Sequence, residues 1–214
     1  GWIQFFVKNG QELYDHLFIA YRLAENPDVL IPVIINVDGF ILSHVFEPLE
    51  TIRPDEAQEY LPPYTPRFVL HPDNPVTMGA FAMPSLFTEA KKAHDEALKR
   101  SYGPILETLA SWSQLSGRRY HPVETLYTED AETLFIVMGS FAETLAEAVK
   151  TMRDQGRKAG LVVLRLWRPF PFKDFRRAVA GAKKLIIIDR ALSPGGPGGP
   201  LAAEIRSALY NIEN

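Results

Sequence analysis

The sequence contains no cysteine among its 214 residues. That excludes disulfides and any thiolate-held iron–sulfur cluster within the chain. Redox chemistry that needs such clusters must draw them from another chain or segment. No apolar run approaches the roughly 18 residues that cross a bilayer. The longest, Val29 to Val37, contains Pro32 and Asn36, and no signal-peptide pattern is present. Neither sign of charge dominates: 23 Lys and Arg stand against 26 Asp and Glu, a net charge of −3. This leaves no electrostatic footprint for nucleic acid or an anionic membrane, and the expected compartment is the cytoplasm. No two histidines fall at i, i+3 or i, i+4, so no helical metal site is expected. No nucleophile stands beside a recognisable base.

Apolar residues make up 46% of the chain and charged ones 23%, the balance of an ordinary globular protein. The length suits one large domain or two small ones. Prolines number 17, and about half crowd between Pro48 and Pro84.

Ile3 to Val7 reads as a short buried strand. Asn9 and Glu12 have capping-box spacing, and Leu13, Leu17, Ala20, Tyr21 and Ala24 recur at helical spacing. They predict a helix from about Asn9 to Asn26 with that stripe buried. Val29 to Val37, apolar on both faces, predicts a central parallel strand. One strand–helix–strand unit does not make a buried sheet, so further strands are expected upstream or on another chain.

From Phe46 to Pro84 the prolines exclude long helices and central strands. Leu61, Tyr64, Phe68, Val69, Phe81 and Phe87 are costly to leave in water, so an ordered connector laid across another surface is expected. Ser85 to Ser116 predicts two helices broken at Gly103-Pro104 and ended by Gly117. Ile105, Leu109 and Trp112 mark the buried face of the second.

The last hundred residues alternate strand and helix. Thr133 to Met138, Leu161 to Leu166 and Lys184 to Asp189 read as strands. Helices follow from Ser140 to Gly156, from Phe172 to Ala180 and around Leu201 to Leu209. Ser140 and Glu143 have capping-box spacing. The array predicts a small open parallel α/β domain.

Three groups of residues are candidates for chemistry. Asp38 to His44 follows a buried strand, and ligands in open parallel sheets gather beyond strand carboxyl ends. There Asp38 and His44 have the means to orient or protonate a ligand and Ser43 to donate a hydrogen bond; the same residue types also simply cap turns. Ser193 to Pro200 is glycine-rich between a strand and a helix. It fits neither the dinucleotide nor the P-loop spacing, and a rigid interface turn is the plainer reading than a phosphate cradle. Arg165, Arg168, Arg176, Arg177 and Arg190 suit either an acidic partner or solvated ion pairs. His16 and His94 sit among polar neighbours, where solvent exposure is expected; His71 and His121 stand alone.

Gly1-Trp2-Ile3-Gln4, Val37-Asp38-Gly39-Phe40-Ile41-Leu42-Ser43-His44, Arg168-Pro169-Phe170-Pro171 and Ser193 to Pro200 occur in an order that resembles the alpha chain of the 2-oxoacid:ferredoxin oxidoreductases, most closely the pyruvate enzyme. Lys8-Asn9-Gly10-Gln11-Glu12, Leu30-Ile31-Pro32-Val33, Glu129 to Glu132, Met138-Gly139-Ser140 and Asp189-Arg190 add to the likeness, which spans essentially the whole chain.

The resemblance implies an α/β fold in four parts. Residues 1–45 are the tail of a thiamine-diphosphate pyrimidine-binding domain, and 46–84 are a proline-rich connector. Residues 85–124 are a helical segment, and 125–214 an open parallel α/β domain like the transketolase C-terminal domain. It implies oxidative decarboxylation of pyruvate to acetyl-coenzyme A with reduction of ferredoxin. Thiamine diphosphate with Mg and four-iron–four-sulfur clusters serve the whole enzyme, held mainly outside this chain, with coenzyme A as co-substrate. The implied partners are the pyrophosphate-binding and cluster-bearing chains and, through the complex, ferredoxin; the chain is not expected to be active alone.

The family's catalytic glutamate and substrate-binding arginine fall upstream of the position of Gly1, so no catalytic residue is assigned. Asp38, Gly39, Phe40, Ser43 and His44 are the expected active-site wall, and Gly195, Gly196, Gly198 and Gly199 the expected interface turn. Two other readings stand beside this one: the same machinery acting on oxalate or another 2-oxo acid, and a non-catalytic assembly module.

Overall fold

A computed structural model describes residues 1–210, and its strands form two small sheets tied together by the chain between them. Strand β1 (Ile3–Phe6), helix α1 (Gly10–Ala24) and strand β2 (Val33–Asn36) make the expected parallel unit. The Asn9 side chain accepts the Glu12 amide at 2.9 Å and caps α1. The Glu12 carboxylate reaches the Lys8 amide at 3.1 Å.

The buried face of α1 is not the expected one. Glu12, Asp15, His16, Ile19 and Leu23 point inward, whereas Leu17 is 47% and Tyr21 60% exposed. Both sets share helical spacing, and the polar set wins because distant partners, Arg165 together with Arg118 and Tyr120 in the segment after Gly117, pair with it. Strand β2 is shorter than expected. The Asn26 carbonyl takes the amides of Val29 and Leu30 at 2.9 and 3.0 Å, and Leu30 turns to φ 44°. Val29 and Ile31 therefore fill the core from a turn rather than a strand. Nor is β2 central: β1 lies between it and a third strand from far along the chain, leaving β2 at the edge.

A short helix, α2 (Ile41–His44), follows β2, and the connector, expected to hold no long helix, includes the seven-residue α3 (Pro54–Tyr60). Tyr60 packs edge-on against Trp112 with ring centroids 5.1 Å apart. Farther on, Tyr64, Phe68, Val69, Leu70, Phe81 and Phe87 stay exposed.

Helices α4 (Pro84–Arg100) and α5 (Tyr102–Ser116) break at Ser101, two residues earlier than expected. Pro104 then lies in the first turn of α5, where a missing N–H leaves nothing unpaired. Gly117 ends α5 at φ 74°, a conformation that favours glycine. Ile105, Leu109 and Trp112 are buried as expected.

The second sheet has the order β3–β5–β4–β7, from β3 (Val123–Leu126), β4 (Thr133–Val137), β5 (Ala159–Leu164) and β7 (Lys184–Ile187). Strands β5, β4 and β7 are parallel, as the alternating pattern predicts. Strand β3 adds an antiparallel edge that the pattern did not reveal. Leu134 and Ile136 face α7 (Phe172–Val179) and α8 (Pro200–Leu209), and Val137 and Leu161 face α6 (Phe141–Asp154).

The expected strand from Leu161 to Leu166 is two. The Pro122 carbonyl takes the amides of Arg165 and Leu166 at 3.0 and 3.1 Å. The chain bends there, and β6 (Leu166–Arg168) crosses to pair antiparallel with β1.

Gly160 marks the tightest approach inside this sheet. A methyl group there would sit 2.5 Å from the Tyr127 carbonyl oxygen and 2.7 Å from a Leu134 methyl. The backbone oxygen has no rotamer by which to yield, so Gly160→Ala is expected to cost about 1–3 kcal/mol, read as a lower denaturant midpoint. An unchanged midpoint would mean that β5 shifts freely.

Candidate functional site

The carboxyl ends of both sheets open on one crevice of about 340 Å³. Phe6 and Val7 come from the end of β1, Asn36 to Gly39 from β2, Met138 and Gly139 from β4, and Ile188 to Ala191 from β7. Pro200 and Leu201 of α8 close one side. Strand β4 leads through α6 to β5 on one flank, and β7 then pairs on the other. The crevice therefore lies at a topological switch point, where ligands of open α/β sheets bind.

Asp38 is the ionisable group that the first sheet sends into this crevice. Its side chain is only 6% exposed, is ion-paired with Arg190 and accepts a hydrogen bond from the Ser140 hydroxyl. Ser140 therefore does not cap α6 as its spacing suggested. It has helical backbone angles, φ −60° and ψ −26°, and makes no capping bond. The Arg190 guanidinium also lies over the Phe141 ring, 4.7 Å from its centroid. In the sequence Arg190 is one of five arginines suited to an acidic partner or to solvated ion pairs, and Ser140 has the spacing of a cap; the positions Met138-Gly139-Ser140 and Asp189-Arg190, just beyond two strand ends, are the available signal.

The other candidate residues divide. Gly39 lines the crevice. Phe40, Ser43 and His44 form an exposed turn beyond it. The Phe40 amide donates to Ser43 Oγ at 2.9 Å, Ser43 Oγ meets His44 Nδ1 at 2.7 Å, and the Phe40 and His44 rings stack 5.5 Å apart. Asp38 thus meets Arg190 and Ser140 rather than His44.

The glycine-rich turn is exposed at Gly195 and Gly196. Asp189 accepts the amides of Leu201 and Ala202 at 2.8 and 3.2 Å. The amino end of α8 is thereby taken by the chain's own carboxylate, which removes the basis for a phosphate cradle there. Gly199 permits this, since a methyl group would lie 2.1 Å from that carboxylate.

Behind the crevice, one residue past Val7, a buried charge network joins the sheets. Arg165, 1% exposed, donates to Glu12 at 2.6 Å, to Glu124, and to the His121 carbonyl at 2.6 Å. Lys8 bonds Glu124 at 2.6 Å. Burial works to raise the Glu124 carboxyl, but the charges of Arg165 and Lys8 outweigh it and hold it below the ordinary value.

Arg118 grips Asp15 through two bonds of 2.6 and 2.8 Å, and Tyr120 adds a third at 2.6 Å. Burial opposes the Asp15 charge, yet those bonds lower its pKa. His16 is fully buried rather than exposed as expected. Its Nδ1 lies 2.8 Å from the Glu12 carbonyl, and its ring packs on Phe5 and Tyr120. Burial, then the nearby Arg165 charge, pushes its pKa down to about 4. Among the described residues no three His, Asp or Glu side chains group as a metal site.

The family model described as "Pyruvate flavodoxin/ferredoxin oxidoreductase, thiamine diP-bdg" matches residues 1–106. That described as "Pyruvate:ferredoxin oxidoreductase core domain II" matches residues 131–214. The pyruvate synthase subunit PorA of Methanothermobacter thermautotrophicus is 36% identical over 213 residues, covering 100% of this chain and 55% of the relative. That of Thermotoga maritima is 35% identical over 213 residues, covering 99% and 54%. The ketoisovalerate oxidoreductase subunit VorA of Pyrococcus horikoshii is 37% identical over 218 residues, covering 99% and 53%.

The chain thus spans about half the length of the curated relatives it matches. A 2-oxoglutarate:ferredoxin oxidoreductase from Magnetococcus marinus, solved with 2-oxoglutarate, coenzyme A and succinyl-CoA bound, shares the fold with a TM-score of 0.61. It is 17% identical, over 96% of this chain and 37% of its own. With the two family models together matching all but residues 107–130, and this identity running the length of the chain, the protein belongs to the 2-oxoacid:ferredoxin oxidoreductase family.

Proposed function

We propose that this chain is part of the alpha chain of a thiamine-diphosphate-dependent enzyme that oxidatively decarboxylates pyruvate, reduces ferredoxin and delivers the acetyl group to coenzyme A. The observation that carries this reading is the crevice at the shared carboxyl ends of the two sheets, within a chain that resembles pyruvate synthase subunits from end to end.

The cofactors are held mainly outside this chain. Of the charged groups lining the crevice, Asp38 and Asp189 are carboxylates that repel a diphosphate, the cation Arg190 is already paired with Asp38, and the amino end of α8 is occupied by Asp189. With no cysteine in the chain, the clusters belong to another chain or segment. No catalytic step is therefore assigned to these residues. Residues 1–45 act as the tail of the pyrimidine-binding domain and one wall of the site, 46–84 as connector, 85–124 as helical segment, and 125–214 as a transketolase C-terminal-like packing domain.

Two exposed apolar surfaces support a place inside a larger assembly. One is the Leu17 and Tyr21 face of α1; the other is the connector carrying Phe68, Leu70 and Phe81, continued by Phe87 in the first turn of α4. Apolar surface of this extent marks contact with other chains or segments, here the pyrophosphate-binding and cluster-bearing parts of the enzyme. Among the described residues no helix is long and apolar enough to cross a membrane, and we place the enzyme in the cytoplasm.

The test is anaerobic viologen reduction by the native assembly that contains this chain. Pyruvate, 2-oxoisovalerate, 2-oxoglutarate and oxalate are each supplied with and without coenzyme A. Coenzyme-A-dependent reduction with pyruvate is the expected result. Preference for another 2-oxo acid would change the substrate and keep the reaction, whereas coenzyme-A-independent activity on oxalate would keep the family and change the reaction. Silence from an intact, cluster-bearing assembly would leave the chain a scaffold.

A further inference from the structure

One tie between the loops beyond the two sheets sits at the base of a strained turn. Asp38 leaves β2 with open neighbours on both sides, Val37 and Gly39, yet its own side chain is nearly buried. One carboxylate oxygen pairs with Arg190, directly beyond β7, and the other accepts from Ser140, directly beyond β4. The first sheet thus hands a single carboxylate to the two loops that bound the switch point of the second. A partly buried, charge-assisted contact of this kind holds geometry far better than a surface ion pair. The Phe141 ring under the guanidinium fixes the arginine in turn.

What the tie holds is the segment from Gly39 to His44. Phe40 adopts φ 73° and ψ −57°, a region that a bulky residue occupies only when its surroundings impose it. Its ring is 79% exposed, next along the chain from the crevice-lining Gly39, and stacks on His44. Strain combined with an exposed aromatic ring has no use in packing within this chain. It presents a face to whatever lies over the crevice.

We propose that Arg190, acting through Asp38, is a positioning residue that holds the Gly39–His44 turn over the crevice, where Phe40 and His44 contact the 2-oxo acid as it reacts. The second half of this statement rests on the enzymatic reading above; the first half does not.

Two measurements on the native assembly separate them. Hydrogen exchange at residues 39–44 reports the tie without any turnover. Arg190→Ala is expected to speed exchange there by about tenfold or more, which the cited scale of local opening allows, while Arg190→Lys stays near the wild type. Unchanged exchange in Arg190→Ala overturns the positioning role.

Dye reduction then reports the contact. Arg190→Ala is expected to lower kcat/KM for the 2-oxo acid about tenfold to a hundredfold, the scale of a misplaced contact. Cofactor content and melting temperature should be kept, and Arg190→Lys should recover most of the loss. Activity falling in step with cofactor content or assembly, and not rescued by lysine, overturns the contact. A wild-type assembly inactive on every 2-oxo acid overturns the enzymatic reading and leaves the exchange result standing.

Discussion

Arg165→Met is expected to destabilise the chain by about 3–5 kcal/mol, the cost of breaking a buried ion pair by removing one partner. The argument rests on where the charge sits. Arg165 lies at the bend where the chain leaves the second sheet for the first, and its guanidinium is the point where Glu12 of α1 and Glu124 of β3 meet. Methionine fills similar volume but leaves two carboxylates facing each other with only Lys8 beside them. It also strips the His121 carbonyl of its 2.6 Å partner. Glu12 is 3% exposed, so water does not replace the lost donor cheaply.

Denaturant unfolding reads the loss directly, and a second variant separates charge from packing. Arg165→Met combined with Glu12→Gln and Glu124→Gln removes the stranded charges, and at least half of the loss should return. A single-variant loss below about 1 kcal/mol would place the network among solvated surface pairs and sink the argument.

That network also explains which parts of the molecule were legible in the sequence. Local rules read well wherever one element decides its own fate. Asn9 caps α1, Gly117 ends α5, and the three parallel strands of the second sheet fall where alternating strand and helix patterns put them. They failed where distant partners decide. The face of α1 reversed because Glu12, Asp15 and His16 find Arg165, Arg118 and Tyr120 from 103 to 153 residues away along the chain. Ser140 lost its capping role to Asp38 for the same reason. Strand β6 was hidden inside an apolar run because only the Pro122 carbonyl, which no local pattern exposes, marks the bend. The candidate segment from Asp38 to His44 was visible, but its partner Arg190 was one arginine among several.

His16 gives the network a pH signature of definite sign. In the folded chain burial drives its pKa down to about 4 from an ordinary 6.5. The unfolded chain takes up that proton near 6.5, so between pH 6.5 and 4 the unfolded state binds more protons than the folded one. Stability then falls as acid is added. The contribution is complete above pH 6.5 and is lost progressively toward pH 4. At about 1.4 kcal/mol per pH unit it amounts to about 3 kcal/mol over the window.

Asp15 and Glu124, both held below their ordinary values, act with the same sign. Their share is lost only at more acid pH, below their ordinary values of 3.8 and 4.5. The slope between pH 6.5 and 5 is therefore where His16 stands apart from them. His16→Phe keeps an aromatic ring between Phe5 and Tyr120 and removes the titrating nitrogen. Unfolding free energies measured at half-unit steps should show a slope near 1 kcal/mol per unit in the wild type across that interval, and a clearly shallower one in the variant. Equal slopes would mean that His16 takes up its proton while folded, which a ring enclosed by Phe5, Tyr120 and the Arg165 guanidinium has no solvent to support.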